Sequence, residues 1–196
     1  TQFINPVTFE TLTANKCLID TFDRNFQYSV EHVALAKQAD VVLVAPASAN
    51  VIGKIANGIA DDMLTTTVIA CPCKKIIAPA MNHNMYHNPI VKDNIKKLAS
   101  YGYEIITPAT GMLANGALGD GRMPDEEELL WHILKEIAFE KDLDGLGRGH
   151  AYLDRANEVM KDYLADLARE DYDRMDSFMV ESAIAGLTGI DATAFA

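Results

Sequence analysis

Three short polar segments each follow an apolar run that ends in proline, and they hold the residues best suited to binding or chemistry. The first is Ala47-Ser48-Ala49-Asn50, followed by a helical pattern. Small residues there let a flat ligand approach the backbone, and a helix start offers free N–H donors. An equal reading makes Ser48 the N-cap of that helix. The second segment is Ala80-Met81-Asn82. The carboxamide of Asn82 can donate to a carboxylate or accept from an amide, and it can equally cap the helix ahead. The third is Ala109-Thr110-Gly111.

Other candidates carry weaker signals. His83 and His87 are four apart and could share a helix face as metal ligands. Neither a third ligand nor an HExxH pattern accompanies them, so the spacing favours a solvent-facing pair and no metal site is expected. His32, in Val30-Glu31-His32-Val33-Ala34-Leu35-Ala36, reads on its own as structural. Cys71-Pro72-Cys73 has the wrong spacing for a zinc knuckle, and with Cys17 it makes no disulfide framework.

The elements that must position these residues follow from hydrophobic patterning. Val41–Ala45 and Lys75–Ala78 read as buried parallel strands ending at Pro46 and Pro79, and Tyr103–Thr107 as a third ending at Pro108. Between them Ile52, Ile55, Ala56 and Ile59 share one helical face, and Ile90, Ile95 and Leu98 another. Strands alternating with helices predict an α/β fold with a parallel sheet, whose ligands sit beyond the carboxyl ends of the strands.

The chain has 196 residues, 49% of them hydrophobic, enough for one such domain with a helical appendage. Its net charge of −11 argues against nucleic acid and anionic membranes as partners. No apolar run approaches the roughly 20 residues of a membrane-spanning helix, and a cytoplasmic location is expected. Asp144-Gly145-Leu146-Gly147-Arg148-Gly149 resembles a linker, dividing a domain at 1–143 from an acidic tail at 144–196. In that tail Leu153, Ala156, Met160, Tyr163, Leu164 and Leu167 form an apolar stripe, and a second helix is expected from near Asp171 to Ala185.

The segments His32–Ala36 with Ala39-Asp40, Ala45–Asn50, Gly58–Asp62, Pro79–Asn82 with Met85-Tyr86 and Asn88-Pro89, and Gly119–Met123 together resemble the phosphopantothenoylcysteine decarboxylase family. The similarity covers Thr1 to about Leu143, in the right order and spacing. It implies a three-layer, flavodoxin-like or Rossmann-like domain with bound FMN. It also implies oxidation of a substrate cysteine at Cβ and sulfur, loss of carbon dioxide from the resulting thioaldehyde, and re-reduction of the enethiol. Carried over by position, His32 matches the catalytic histidine and Asn82 the asparagine that holds the substrate carboxylate. Ser48, Ala49, Asn50 and Val51, with Ala80, match the flavin-contacting positions. Met81, Met85 and Arg122 match the pocket or its lid, Met85 and Arg122 on the substrate side. The resemblance further implies a homo-oligomer, a trimer or a multiple of it.

The sequence departs from the family pattern in three places. Asn115, in Leu113-Ala114-Asn115-Gly116, stands where the family has a proton-donating cysteine, and a carboxamide does not ionise usefully. The expected consequence is a reaction that stops at the enethiol. Thr1–Pro6 matches the segment after the family's first βαβ unit, so that unit is expected to be missing from this chain. Nothing after Leu143 resembles the Gly-rich opening of the second, ligase domain that follows in bifunctional relatives. Two alternatives to coenzyme A biosynthesis therefore accompany this reading. One is a peptidyl-cysteine oxidative decarboxylase of the lantibiotic type, and the other a non-catalytic flavoprotein partner or regulatory subunit.

Overall fold

A computed structural model describes residues 4–22, 31–112, 116, 118–142, 151 and 154–162. Helix α1 (Pro6–Thr13) opens with Asn5 as N-cap and buries none of its residues. Helix α2 (Glu31–Gln38) leads to strand β1 (Val41–Ala47), then helices α3 (Ala49–Ala56) and α4 (Met63–Ala70). Strand β2 (Lys74–Pro79), the short helix α5 (His83–Tyr86), α6 (Pro89–Ser100) and β3 (Glu104–Ile105) follow. Strands β4 (Ala109–Met112) and β5 (Leu118–Arg122) precede α7 (Glu126–Asp142).

The sheet is parallel in the order β1-β2-β3, as the alternating apolar runs predict. Its two faces explain why β1 and β2 are apolar throughout. Val44, Ala47 and Ile77 meet Ile52, Ile55 and Ala56 of α3, Val68 of α4 and Leu98 of α6 on one face. Leu43, Ile76 and Ala78 meet Leu129 and Ile133 of α7 on the other. Successive side chains of a strand point to opposite faces, so a strand covered on both sides admits no polar alternation. The result is a three-layer α/β sandwich. Each fully buried residue such as Ile77 or Ile52 contributes about 1.5–3 kcal/mol through burial.

Several expectations need correction. Pro46 does not end β1; pairing with β2 becomes irregular after Val44 and resumes where Ala47 lies opposite Pro79. The third strand is shorter than expected and stops at Ile105. Ala109–Gly111, the third segment singled out after a strand-ending proline, does not extend the parallel sheet. It belongs to β4, which pairs antiparallel with β5 in a separate hairpin. Ile59 is exposed because Asn57 caps α3 and Gly58, at φ +71, turns the chain away. Ile90 is exposed at the start of α6, whereas Ile95 and Leu98 do face the core.

In the tail, residues 154–162 are helical, and Ala156 and Met160 of the expected stripe are buried together with Val159. The domain boundary near 143, the rest of that stripe and the second tail helix lie outside the described residues. Among the described residues no helix is long and apolar enough to cross a membrane.

Candidate active site

The carboxyl ends of β1 and β2 lie side by side and bring two of the sequence segments together. The N–H of Ala80 donates to the carbonyl of Ala47 at 3.0 Å, extending the strand pairing past both prolines. On the first segment, Ser48 caps α3 by accepting from the N–H of Val51 at 3.3 Å. Ala45, Pro46, Ser48 and Asn50 are exposed although Val44 and Ala47 on either side of the proline turn are buried. The small side chains of Ala45, Ala47, Ala49 and Ala80 leave the backbone at these strand ends open to close approach by a planar ring. Ala49, Val51 and Ala80 are half-buried.

Asn82 opens α5, and its two side-chain functions separate cleanly. Its Oδ1 accepts from the N–H of Asn84 at 2.9 Å, while its own carbonyl accepts from Tyr86 N–H. The acceptor end is committed to capping. The donor end, Nδ2, has no partner among the described residues, and the side chain is exposed. A free amide donor is the complement of a carboxylate. Both sequence readings of Asn82 are therefore compatible, because they use different atoms. Met85, on the same helical turn, is 48% exposed beside it.

The β4–β5 hairpin joins this site through the backbone. Gly121 accepts from the N–H of Met81 at 2.9 Å. Arg122, the next residue, is exposed, and its guanidinium pairs with Asp125 at 2.7 Å. That pairing fixes the arginine at the hairpin's edge and leaves further donors of its fork for an anion. His32 is half-buried in the first turn of α2, which packs against α4. Among the described residues it shares no hydrogen bond with the Ser48–Ala80–Asn82 cluster. Asn115 lies outside the described residues.

Sequence reasoning missed Asp62 and Asp120. Asp62 forms a capping box with Thr65, whose hydroxyl is fully buried, and its Oδ2 meets Lys54 Nζ at 2.9 Å. Partial desolvation pushes its carboxyl up, but Lys54 and the N–H and hydroxyl of Thr65 outweigh it and hold it at about 2. The Asp-x-x-Thr pattern was the available signal. Asp120 accepts from both His83 and His87, so the expected solvent-facing pair does have a third member. Those imidazoles, His87 foremost, hold the Asp120 carboxyl below its usual range against some desolvation. A cavity of about 290 Å³ lined by Pro72–Lys75 and Tyr101–Tyr103 opens at the other, amino-terminal end of β2.

The profile of the family described as Flavoprotein matches residues 1–138. The chain belongs to that family. A relative in Bacillus subtilis, the coenzyme A biosynthesis bifunctional protein CoaBC, is 46% identical over 139 residues, covering 71% of this chain but only 34% of the relative. The chain thus spans about a third of that bifunctional protein. A probable phosphopantothenoylcysteine decarboxylase of Streptococcus mutans is 39% identical, covering 69% of this chain and 77% of the relative. Among solved structures, the FMN-dependent cysteine decarboxylase SpaF is 40% identical with a TM-score of 0.54, covering 61% of this chain and 66% of that one. A cysteine-to-serine mutant of PPC decarboxylase complexed with pantothenoylaminoethenethiol is 31% identical with a TM-score of 0.55, covering 61% and 69%. The three-layer parallel fold expected from the sequence is the fold of these neighbours.

Proposed function

We propose that this chain is an FMN-binding cysteinyl decarboxylase domain that takes 4′-phosphopantothenoylcysteine as substrate. The observation that carries the reading is the split role of Asn82. Its Oδ1 builds the α5 turn, and its Nδ2 is left to hold a carboxylate at the carboxyl end of β2. The residues present suit a flavin ring, because Ser48, Ala49, Asn50, Val51 and Ala80 offer small side chains over a buried strand end. Bound FMN would supply two-electron oxidation of the substrate cysteine, which no side chain here can perform.

The protein's own contribution is binding, orientation and proton handling. Asn82 Nδ2 orients the carboxylate that is lost as carbon dioxide. His32, at the position of the family's catalytic histidine, is assigned proton transfer or substrate positioning, and Met85 and Arg122 border the substrate. Asn115 stands at the position of the family cysteine and cannot deliver an acidic proton. The proposed product is accordingly the enethiol, two hydrogens short of the cysteamine-type product, and the two electrons left on the flavin would pass to molecular oxygen before the next turnover. The same substitution favours a second reading, oxidative decarboxylation of a peptidyl cysteine. SpaF, a cysteine decarboxylase at 40% identity, adds to that reading.

Asn82→Asp tests the assignment without disturbing the turn. Aspartate is as good an N-cap as asparagine, but it offers no donor and places a negative charge at the carboxylate. Mass analysis of products should show kcat/KM reduced at least about tenfold, as for a lost hydrogen bond to a charged group, with an unchanged melting temperature. Wild-type turnover by Asn82→Asp would reduce Asn82 to a cap. Turnover of a peptide ending in cysteine, but not of phosphopantothenoylcysteine, would favour the second reading.

A further inference from the structure

His83, His87 and Asp120 converge from two elements that the chain separates by more than thirty residues. The helical turn from Asn82 continues through His87, whose N–H donates to the carbonyl of His83 at 3.0 Å. That geometry stacks the two rings with centroids 4.5 Å apart and planes tilted by 54°. Both rings turn one nitrogen to the same carboxylate. His87 Nε2 lies 2.7 Å from Asp120 Oδ2 and 2.9 Å from Oδ1, and His83 Nδ1 meets Oδ1 directly. All the candidate ligand atoms fall within 4.8 Å of one another.

We infer that these three side chains form a binding site for a first-row divalent cation of the Zn2+ type. Two imidazole nitrogens and a carboxylate are a borderline donor set that suits Zn2+, Co2+ or Ni2+ better than Mg2+ or Ca2+. Metal–ligand bonds of about 2.0–2.2 Å in a tetrahedral site place ligand atoms about 3.3 Å apart. The His87–Asp120 separation must therefore open by roughly half an ångström, which side-chain rotation supplies. The side chains of His83, His87 and Asp120 retain 48%, 47% and 28% exposure, so an ion has an entry path and its remaining coordination positions take water. The i, i+4 histidines make the turn a chelate, and the carboxylate neutralises one of the ion's charges.

The site has a structural consequence. Asp120 precedes Gly121, whose carbonyl already receives the Met81 N–H, and His83 follows Asn82. An ion held here clamps the β4–β5 hairpin onto the α5 turn across residues 81–83. Two segments already joined by the Met81–Gly121 backbone hydrogen bond would be cross-linked by three coordinate bonds. This inference does not rest on the decarboxylase reading, since it needs only the placement of the hairpin against α5.

The test uses the full chain, stripped with a chelator, and Zn2+ alone, titrated against a chromophoric competitor. One Zn2+ per chain is expected, weakened at least about tenfold in His87→Gln and in Asp120→Asn. A Cys71→Ser/Cys73→Ser variant should bind like wild type, and the Co2+ form should show no thiolate charge-transfer band. Hydrogen exchange should slow at residues 118–122 on adding Zn2+, in wild type and not in Asp120→Asn. The two single variants alter different elements, and circular dichroism verifies that each is folded. Absence of saturable binding overturns the inference. So does binding that persists in folded Asp120→Asn or disappears only with the cysteines.

Discussion

Gly121 and Met81 approach so closely that only glycine fits. Gly121 accepts the Met81 N–H at 2.9 Å, and a Cβ on Gly121 would stand 2.3 Å from the Met81 carbonyl oxygen. Its φ of +125 is also a conformation that side chains avoid. The obstacle is backbone, so no rotamer change relieves it. This contact is what seats the hairpin on the turn that carries Asn82.

Gly121→Ala should therefore separate the hairpin from that turn. A strained backbone position of this kind costs about 1–3 kcal/mol, and relief by moving β5 away forfeits the Met81 hydrogen bond. Thermal unfolding should register the loss. Gly58→Ala is the control, because its Cβ would meet nothing within 4 Å and only its φ of +71 opposes the change. A smaller effect at Gly121 than at Gly58 would contradict the contact's role.

The Asp62–Thr65 capping box anchors α4 next to α3. Asp62→Ala removes the acceptor from Thr65 N–H and should destabilise the fold by about 1–2 kcal/mol. Asp62→Asn keeps the acceptor and loses only the charge facing Lys54, which retains Asp61 at 2.7 Å. Chemical denaturation should rank Asp62→Asn well above Asp62→Ala. Equal losses would place the stabilisation in the ion pair instead.

Acid stability depends on Glu104 in β3. His132 of α7 contacts its Oε1 at 2.5 Å and, against desolvation and with help from Glu136, holds the carboxyl at about 2. Its folded value lies below the ordinary 4.5, so the folded state gains from ionised Glu104. That gain is complete above pH 4.5 and is lost as pH falls towards 2. Glu136 is shifted the other way, upward, by desolvation first and by its hydrogen bond with Glu104. Its effect runs the other way: the protonated acid stabilises the fold fully below pH 4.5, and that contribution is lost as pH rises through its own raised folded value. Stability of wild type minus Glu104→Gln should shrink between pH 4.5 and 2. A difference independent of pH in that window would refute the linkage.

The sheet was legible because β1 and β2 are sandwiched between helices, which writes continuous apolar runs into the sequence. The hairpin was not. Gly111 and Gly119-Asp120-Gly121 carry little strand propensity, and the hairpin is positioned by Gly121 against Met81, not by apolar alternation. Ser48 and Asn82 were legible as polar residues at strand ends, but which atom caps and which remains free is a matter of geometry. Asp120 was invisible as a partner of His83 and His87 because only the fold joins β5 to α5. Ile59 and Ile90 misled for the reason that a helical pattern does not show where a helix ends or which turn faces solvent.

Titration of the purified chain with FMN, followed by flavin fluorescence and absorbance, tests the central claim most directly. Saturable binding of one FMN per chain is predicted, abolished by Ala80→Glu, which puts bulk and charge beside Ala47 at the strand ends. Absence of saturable binding, or binding indifferent to Ala80→Glu, would contradict a flavin site at the carboxyl ends of β1 and β2.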